Sequence, residues 1–190
     1  PLKPAAERKR RLAGRLDPDA RAALGEQLFR HVVAVLGEVS AIGSVAVLSQ
    51  ERPIGWTGGW LEDRGRGLNG ELEAARASLR PQRLVVIHAD LPLLAAADVT
   101  ALVAAAAEAG LAIAPDRHGT GTNALAIADG RDFPFRFGRD SFALHRAQAG
   151  GPGRVVSRSG LALDIDTPED LDAAIAAGFQ CGVLDGTAGT

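Results

Sequence analysis

Short, unbroken apolar runs that alternate with longer stretches of helical periodicity constrain this chain more than any other feature. Residues 45–48, 84–87 and 111–114 have the length and composition of strands covered on both faces. Around them lie segments with a 3.6-residue period. Residues 18–38 set Leu24, Leu28, Val32, Val35 and Leu36 on one face, behind an Asp17-Pro18 pair suited to an N-cap and first helical position. Residues 70–79 and 96–109 are helical in pattern too. Strands and helices taking turns bury their apolar faces by stacking helices on a sheet through right-handed crossovers. The expected fold is therefore a single α/β domain, a mostly parallel sheet flanked by helices. Further along, residues 124–128, 155–156 and 161–165 read as strands, and residues 141–149 and 168–177 as helices. The Gly- and Trp-rich segment 52–66 reads as a long loop. Residues 1–178 form the expected domain, and residues 179–190, without periodicity, a loose tail.

Composition narrows the function classes. With 190 residues and 46% hydrophobic content, one substantial core is affordable and two would be cramped. A net charge of -2 gives no electrostatic case for nucleic acid or an anionic membrane, which leaves small molecules as the expected partners. The lone Cys181 cannot form an internal disulfide, and no Cys/His ladder suggests zinc; both suit a reducing cytoplasm. The apolar stretch 94–114 is broken by Asp98, Thr100 and Glu108, a poor membrane span and a good helix followed by a strand. No signal peptide is visible. The sequence has no methionine and opens on Pro1-Leu2-Lys3-Pro4, so further N-terminal sequence is expected in the natural protein.

Chemistry concentrates in four places. DRHGTGTNAL, residues 116–125, holds Gly119, Thr120, Gly121 and Thr122 in one turn. It reads either as an ordinary strand-to-strand turn or as an anion cradle whose exposed amides and hydroxyls donate to phosphate or carboxylate. Asp90 follows the 84–87 run, at the carboxyl end of a strand, where open α/β sheets bind ligands. In DIDTPEDL, Asp164 and Asp166 lie two apart on an extended segment and face the same side. Carboxylates from two distant segments suit magnesium shared with substrate phosphates, although Asp166 could instead cap the helix starting near Pro168. The turn Phe137-Gly138-Arg139-Asp140-Ser141 enters a helix, so its amides and the Ser141 hydroxyl form a second candidate anion cradle. Lys3, Lys9 and Arg11 could wrap a polyphosphate, or belong to a solvated basic face.

Taken in order, Pro-Leu-Lys-Pro, Lys9-Arg10-Arg11-Leu12, Gly67-Leu68-Asn69, Ala89-Asp90-Leu91-Pro92, DRHGTGTNAL, Phe137-Gly138 with Ser141-Phe142, and DIDTPEDL resemble the 2-phospho-L-lactate / phosphoenolpyruvate guanylyltransferases of coenzyme F-420 biosynthesis. The resemblance runs from Pro1 to about Ala177. It implies a GT-A-like, Rossmann-type nucleotidyltransferase fold, whose first strand would immediately precede Lys3 and is not in this sequence. It also implies that Asp90 and Asp164, with Asp166 assisting, hold Mg2+. Thr122, Gly138 and Ser141 would bind the phosphorylated acceptor acid, Asn69 would sit near the nucleoside, and Lys3, Lys9 and Arg11 would line the triphosphate. Arg139-Asp140 departs from the Pro-containing pair usual after Gly138.

The reaction so implied joins GMP from GTP to a small phosphorylated acid, with a downstream transferase taking the product. A phosphate monoester is mostly dianionic at neutral pH, its second pKa being about 6, so the nucleophile needs no general base. His88 and His118 accordingly read as structural residues or as a polar wall of the site. Two alternatives stand beside this reading: a related nucleotidyltransferase acting on molybdopterin or a sugar phosphate, and a non-catalytic nucleotide-binding protein.

Overall fold

The computed structural model describes residues 9–80, 82–149 and 153–184. A 3-10 turn at Arg10–Leu12 precedes α1 (Pro18–Glu38), β1 (Ala46–Ser49), β2 (Gly59–Glu62), α2 (Gly67–Leu79), β3 (Leu84–Ile87) and α3 (Ala96–Ala109). There follow β4 (Leu111–Pro115), β5 (Thr122–Ile127), α4 (Ser141–Gln148), β6 (Arg154–Val155), α5 (Ser159–Ala162) and α6 (Pro168–Ala176). Helix α1 starts where Asp17 accepts the Ala20 amide at 2.7 Å, with Pro18 in the first turn. Helix α3 stops at Gly110, whose φ of 79° is left-handed; a Cβ there would also meet the Asp129 and Arg131 side chains at under 2.5 Å.

The strands form a four-stranded sheet in the order β3-β5-β4-β6 and a separate parallel pair, β1-β2. Strand β6 runs parallel to β4, whereas β5 lies antiparallel to both β3 and β4. The GTGT stretch is thus a hairpin turn between neighbouring strands, and one reversed strand sits inside an otherwise parallel set. Alternate residues face two apolar layers. Ala112, Ala114, Ala124 and Ala126 pack under α1 and α3 with Val32, Leu36 and Leu102, while Leu111, Ile113, Leu125 and Ile127 pack against Phe133, Phe135 and Phe137. A third cluster joins Leu12, Leu24 and Leu28 to Ile165 and Leu171.

Three expectations change. The segment 52–66 is not all loop: Gly59–Glu62 forms β2, where Gly59 lets the backbone approach Ala46 closely and the Trp60 indole donates to Ser49 at 3.1 Å. Only Trp60 and Leu61 are apolar there, too short a run to signal a strand. Residues 161–165 are not a strand. Leu161 is fully buried in the α1/α3 layer as part of α5, and the Leu161 and Ala162 carbonyls accept from the Asn123 amide rather than from a neighbouring strand. Strand β3 is only partly buried, since it faces a cavity of about 650 Å³ between itself and β1, walled by Val45, Val47, Leu84 and Val86.

Candidate active site

Asp90 leaves β3 at its carboxyl end and Asp164 and Asp166 leave α5 on an extended segment; the Ile165 amide donates to the Asp90 carbonyl at 3.2 Å and ties the two together. One carboxylate oxygen from each of the three acids lies within 4.8 Å of the others. Lys9 reaches the same group. Its Nζ donates to Asp90 Oδ2 at 2.6 Å and to the Ile165 carbonyl, and lies 3.6 Å from Asp166 Oδ1.

The three acids are not electrostatically alike. Burial works against the Asp90 charge, but the charge and hydrogen bond of Lys9 together with the His88 ring outweigh it and hold the carboxyl below its ordinary range. Burial and then repulsion from Asp90 push Asp164 up, against the Asn123 amide that donates to its Oδ1 at 3.1 Å. Asp90 Oδ1 is buried and has no hydrogen-bond partner among the described residues. An orphaned anionic oxygen beside two further carboxylates is a costly arrangement that a hard divalent cation relieves, so the donor set fits magnesium. Asp166 does not cap α6: Thr167 and Asp170 form a reciprocal capping box there, with the Thr167 amide donating to Asp170 at 2.7 Å. Asp166 stays exposed and available to the cluster.

The anion cradles are less open than the sequence suggested. In the 116–121 turn the amides of His118, Thr120 and Gly121 all point inward to the Asp116 carboxylate, at 2.8 to 3.1 Å. They are spent on shaping the hairpin. At α4 the Ser141 amide donates to Gly138 and the Phe142 amide to Thr120, which leaves the buried Ser141 hydroxyl and the left-handed Gly138, φ 117°, as the exploitable features. Arg117 ties the turn to α6 through Asp170 at 2.6 Å.

Thr122 and Asn123 are adjacent in β5 and so serve opposite faces, but each serves the face that alternation from Ala124 would give the other. The pairing of β4 with β5 slips between Ala114 and Pro115, so that Pro115 opposes Thr122 where Ala114 opposes Ala124. This bulge spoils the strict alternation and turns Asn123 toward Asp164 and Thr122 toward α4. There, Thr122 Oγ1 meets His145 Nδ1 at 2.9 Å. The opposite ring nitrogen accepts the Arg136 amide at 3.0 Å, just before Phe137 and Gly138. Asn69, expected near the nucleoside, grips the same loop: its Nδ2 donates to the Phe137 carbonyl at 3.0 Å and its Oδ1 accepts the Phe137 amide at 2.7 Å.

Of the basic set, Lys9 joins the acidic cluster, Arg11 is exposed on the 3-10 turn whose Leu12 is fully buried, and Lys3 lies outside the described residues. Asn123 and His145 are polar contacts that motif reading missed. Asn123 stands beside Thr122 in GTGTN, and His145 stands four residues after Ser141, one helical turn along the same face of α4.

An α/β sheet with carboxylates gathered at the end of β3 and two glycine-containing turns at the ends of β4 and α4 is the architecture of a nucleotidyltransferase-like protein. The structure resembles a Desulfovibrio desulfuricans G20 protein described as a nucleotide-diphospho-sugar transferase, at a TM-score of 0.71 and 15% identity over 90% of this chain and 82% of that one. A protein from Mycobacterium sp. strain JC1 matches with a TM-score of 0.57 and 19% identity over 83% of each chain. Residues 1–181 match the model of the family described as "Guanylyl transferase CofC like", and the chain belongs to that family of guanylyltransferases. It is 40% identical to a phosphoenolpyruvate guanylyltransferase of Sphaerobacter thermophilus, over 86% of this chain and 84% of that one. The same name is carried by relatives from Chloroflexus aggregans, 38% identical over 90% and 92%, and Rubrobacter xylanophilus, 39% identical over 94% and 92%.

Proposed function

We propose that this guanylyltransferase takes phosphoenolpyruvate as acceptor, joins its phosphate to the GMP part of GTP and releases pyrophosphate, in the cytoplasm and with Mg2+ in the site. The observation that carries the reading is the Asp90, Asp164 and Asp166 cluster with its unpartnered buried oxygen, in a chain 38 to 40% identical to three proteins of that name. An oxygen of the acceptor phosphate attacks the α-phosphorus, and the bond from that phosphorus to the bridging oxygen of the β-phosphate breaks. The electron pair leaves with pyrophosphate.

Asp90, Asp164 and Asp166 would hold the cation, which would supply charge neutralisation for the two polyanions. The rest falls to the chain. Lys9 sets its Nζ between Asp90 and Asp166, and Arg11, exposed on its turn, offers a planar fork that can grip triphosphate oxygens in pairs. Ser141 and Gly138 at the start of α4, with Thr122, receive the acceptor, whose own charge removes any need for a base. Asn69 sets the loop that carries Gly138. Product release would feed a second transferase that uses the activated diphosphate.

The test is incubation of the protein with GTP, magnesium and, in separate reactions, phosphoenolpyruvate, 2-phospho-L-lactate and 3-phosphoglycerate, with products identified by mass. A guanylylated phosphoenolpyruvate and stoichiometric pyrophosphate are expected. Preference for another phospho-acid would replace the acceptor, turnover of molybdopterin or a sugar phosphate alone would replace the substrate class, and GTP binding without pyrophosphate would reduce the chain to a binder.

A further inference from the structure

His145 lies on α4, fully buried, between two apolar rings: its centroid is 4.9 Å from that of Phe137 and 5.6 Å from that of Phe133. An imidazole placed there only to fill space would be an expensive substitute for phenylalanine. Both of its nitrogens are instead engaged, and the two partners are chemically unequal. The Arg136 amide can only donate, so the Nε2 it meets must carry a lone pair. The burial that lowers the ring's pKa to about 4 keeps it neutral at pH 7, so one proton remains, and it must be on Nδ1. Nδ1–H therefore donates to Thr122 Oγ1. That hydroxyl then has one of its two lone pairs used from the protein side, and among the described residues no acceptor takes its own hydrogen.

We propose that His145 is a positioning residue for the acceptor pocket: by donating through Nδ1 to Thr122 and accepting the Arg136 amide through Nε2, it makes Thr122 a one-way donor toward an anionic ligand and locks that donor to the Phe137-Gly138 loop. The proposal rests on the reading that Thr122, Gly138 and Ser141 receive the phospho-acid, and it adds to that reading a direction for the Thr122 hydrogen. The reverse tautomer would turn the hydroxyl toward His145 and present lone pairs to an anion, which repels. One imidazole thus couples three segments far apart in sequence, β5, the loop before α4, and α4 itself. The Asn69 clamp on Phe137 fixes the same loop from the opposite side.

Two measurements decide it. Long-range 1H-15N spectra of the folded wild-type protein read the tautomer without reference to activity: a protonated Nδ1 and a pyridine-like Nε2 are expected for His145, and the reverse assignment overturns the proposal whatever the acceptor proves to be. Steady-state kinetics with phosphoenolpyruvate and GTP then follow His145→Phe, His145→Asn and Thr122→Val, each checked for folding by its melting curve. His145→Phe keeps ring volume and removes both hydrogen bonds; it should raise KM for phosphoenolpyruvate at least tenfold and leave KM for GTP within twofold. His145→Asn carries an amide donor near the Nδ1 position and should recover part of that loss. Because His145 acts in part through Thr122, the double variant His145→Phe/Thr122→Val should lose clearly less than the sum of the two single losses. Additive losses, equal effects on both substrates, or a lowered melting temperature with both KM values unchanged would each overturn it, leaving His145 a structural residue. Absence of phosphoenolpyruvate turnover in the wild type would instead count against the proposed acceptor, and the tautomer result would still stand.

Discussion

Two polar regions meet at residues 122–123 of β5 and are built on opposite plans. On one face, Thr122, His145, Arg136, Asn69 and Phe137 close a network that is neutral and shaped in advance, with aromatic rings excluding water around it. On the other, Asn123 touches a group of three carboxylates that Lys9 neutralises in part, with one buried oxygen left without a partner among the described residues. Among the described residues the first region lacks only an acceptor for the Thr122 hydrogen, whereas the second carries unrelieved negative charge. A pocket for a small acid gains from rigidity, because positioning counts when the nucleophile is already reactive. A site for a cation and a triphosphate gains from unrelieved negative charge, which binding then relieves.

The largest effect should come from the acidic side. Asp90→Asn and Asp164→Asn are each expected to lower kcat at least about 100-fold while the fold survives, the scale of losing one major electrostatic contact in the transition state. Turnover at saturating magnesium with circular dichroism as the control checks it, and near-normal rates for both variants would leave the two regions alike.

On the neutral side the corresponding effect is on stability. His145 has its pKa lowered to about 4 from an ordinary 6.5, so the unfolded chain takes up a proton that the folded one refuses. Its contribution is fully present above pH 6.5 and is lost as the pH falls toward 4, by about 3 kcal/mol over that window. Urea unfolding at pH 7 and at pH 4 should show this loss in the wild type, and a smaller one in His145→Phe, which removes only the histidine share of the acid sensitivity. Identical losses would mean the ring is not held neutral.

A smaller effect separates the ligands. Ser141→Ala removes one buried hydroxyl at the start of α4 and should weaken phosphoenolpyruvate binding by about 1 to 2 kcal/mol with little change for GTP. Separate titrations of the two ligands read it, and a loss confined to GTP would exchange the roles assigned to the two regions. The smallest effect is expected at Arg11, exposed on its 3-10 turn: Arg11→Lys should lower kcat about two- to fivefold, since a point charge replaces a two-pronged one. A rate equal to wild type would place Arg11 on the solvated surface and leave Lys9 as the positive group beside the carboxylates.

Most of the elements were legible because each obeys a local rule. The periodicity from Leu24 to Leu36, the Asp17-Pro18 start, the apolar 84–87 run and the two-residue spacing of Asp164 and Asp166 depend on neighbours in sequence, and the structure repeats them nearly residue for residue. The strand at Gly59–Glu62 and the helix at Ser159–Ala162 were not legible. The first is made by pairing with β1 rather than by its own composition, and the second by what Leu161 and Asn123 find across the chain.

The sequence by itself determined which side chains are present in which order: three acids with hard oxygens, a glycine-threonine turn, a serine before a short helix. Tertiary structure decided which of their polar atoms remain for a ligand. The GTGT amides look free in sequence and are spent on Asp116, because a carboxylate five residues back is the nearest acceptor once the hairpin closes. Strict alternation from Ala124 would turn Thr122 to the α1/α3 face and Asn123 to the aromatic face, and one extra residue in β5 opposite Pro115 exchanges the two. A hydrogen bond is settled by distance and direction between groups far apart in the chain, and only folding brings those groups together.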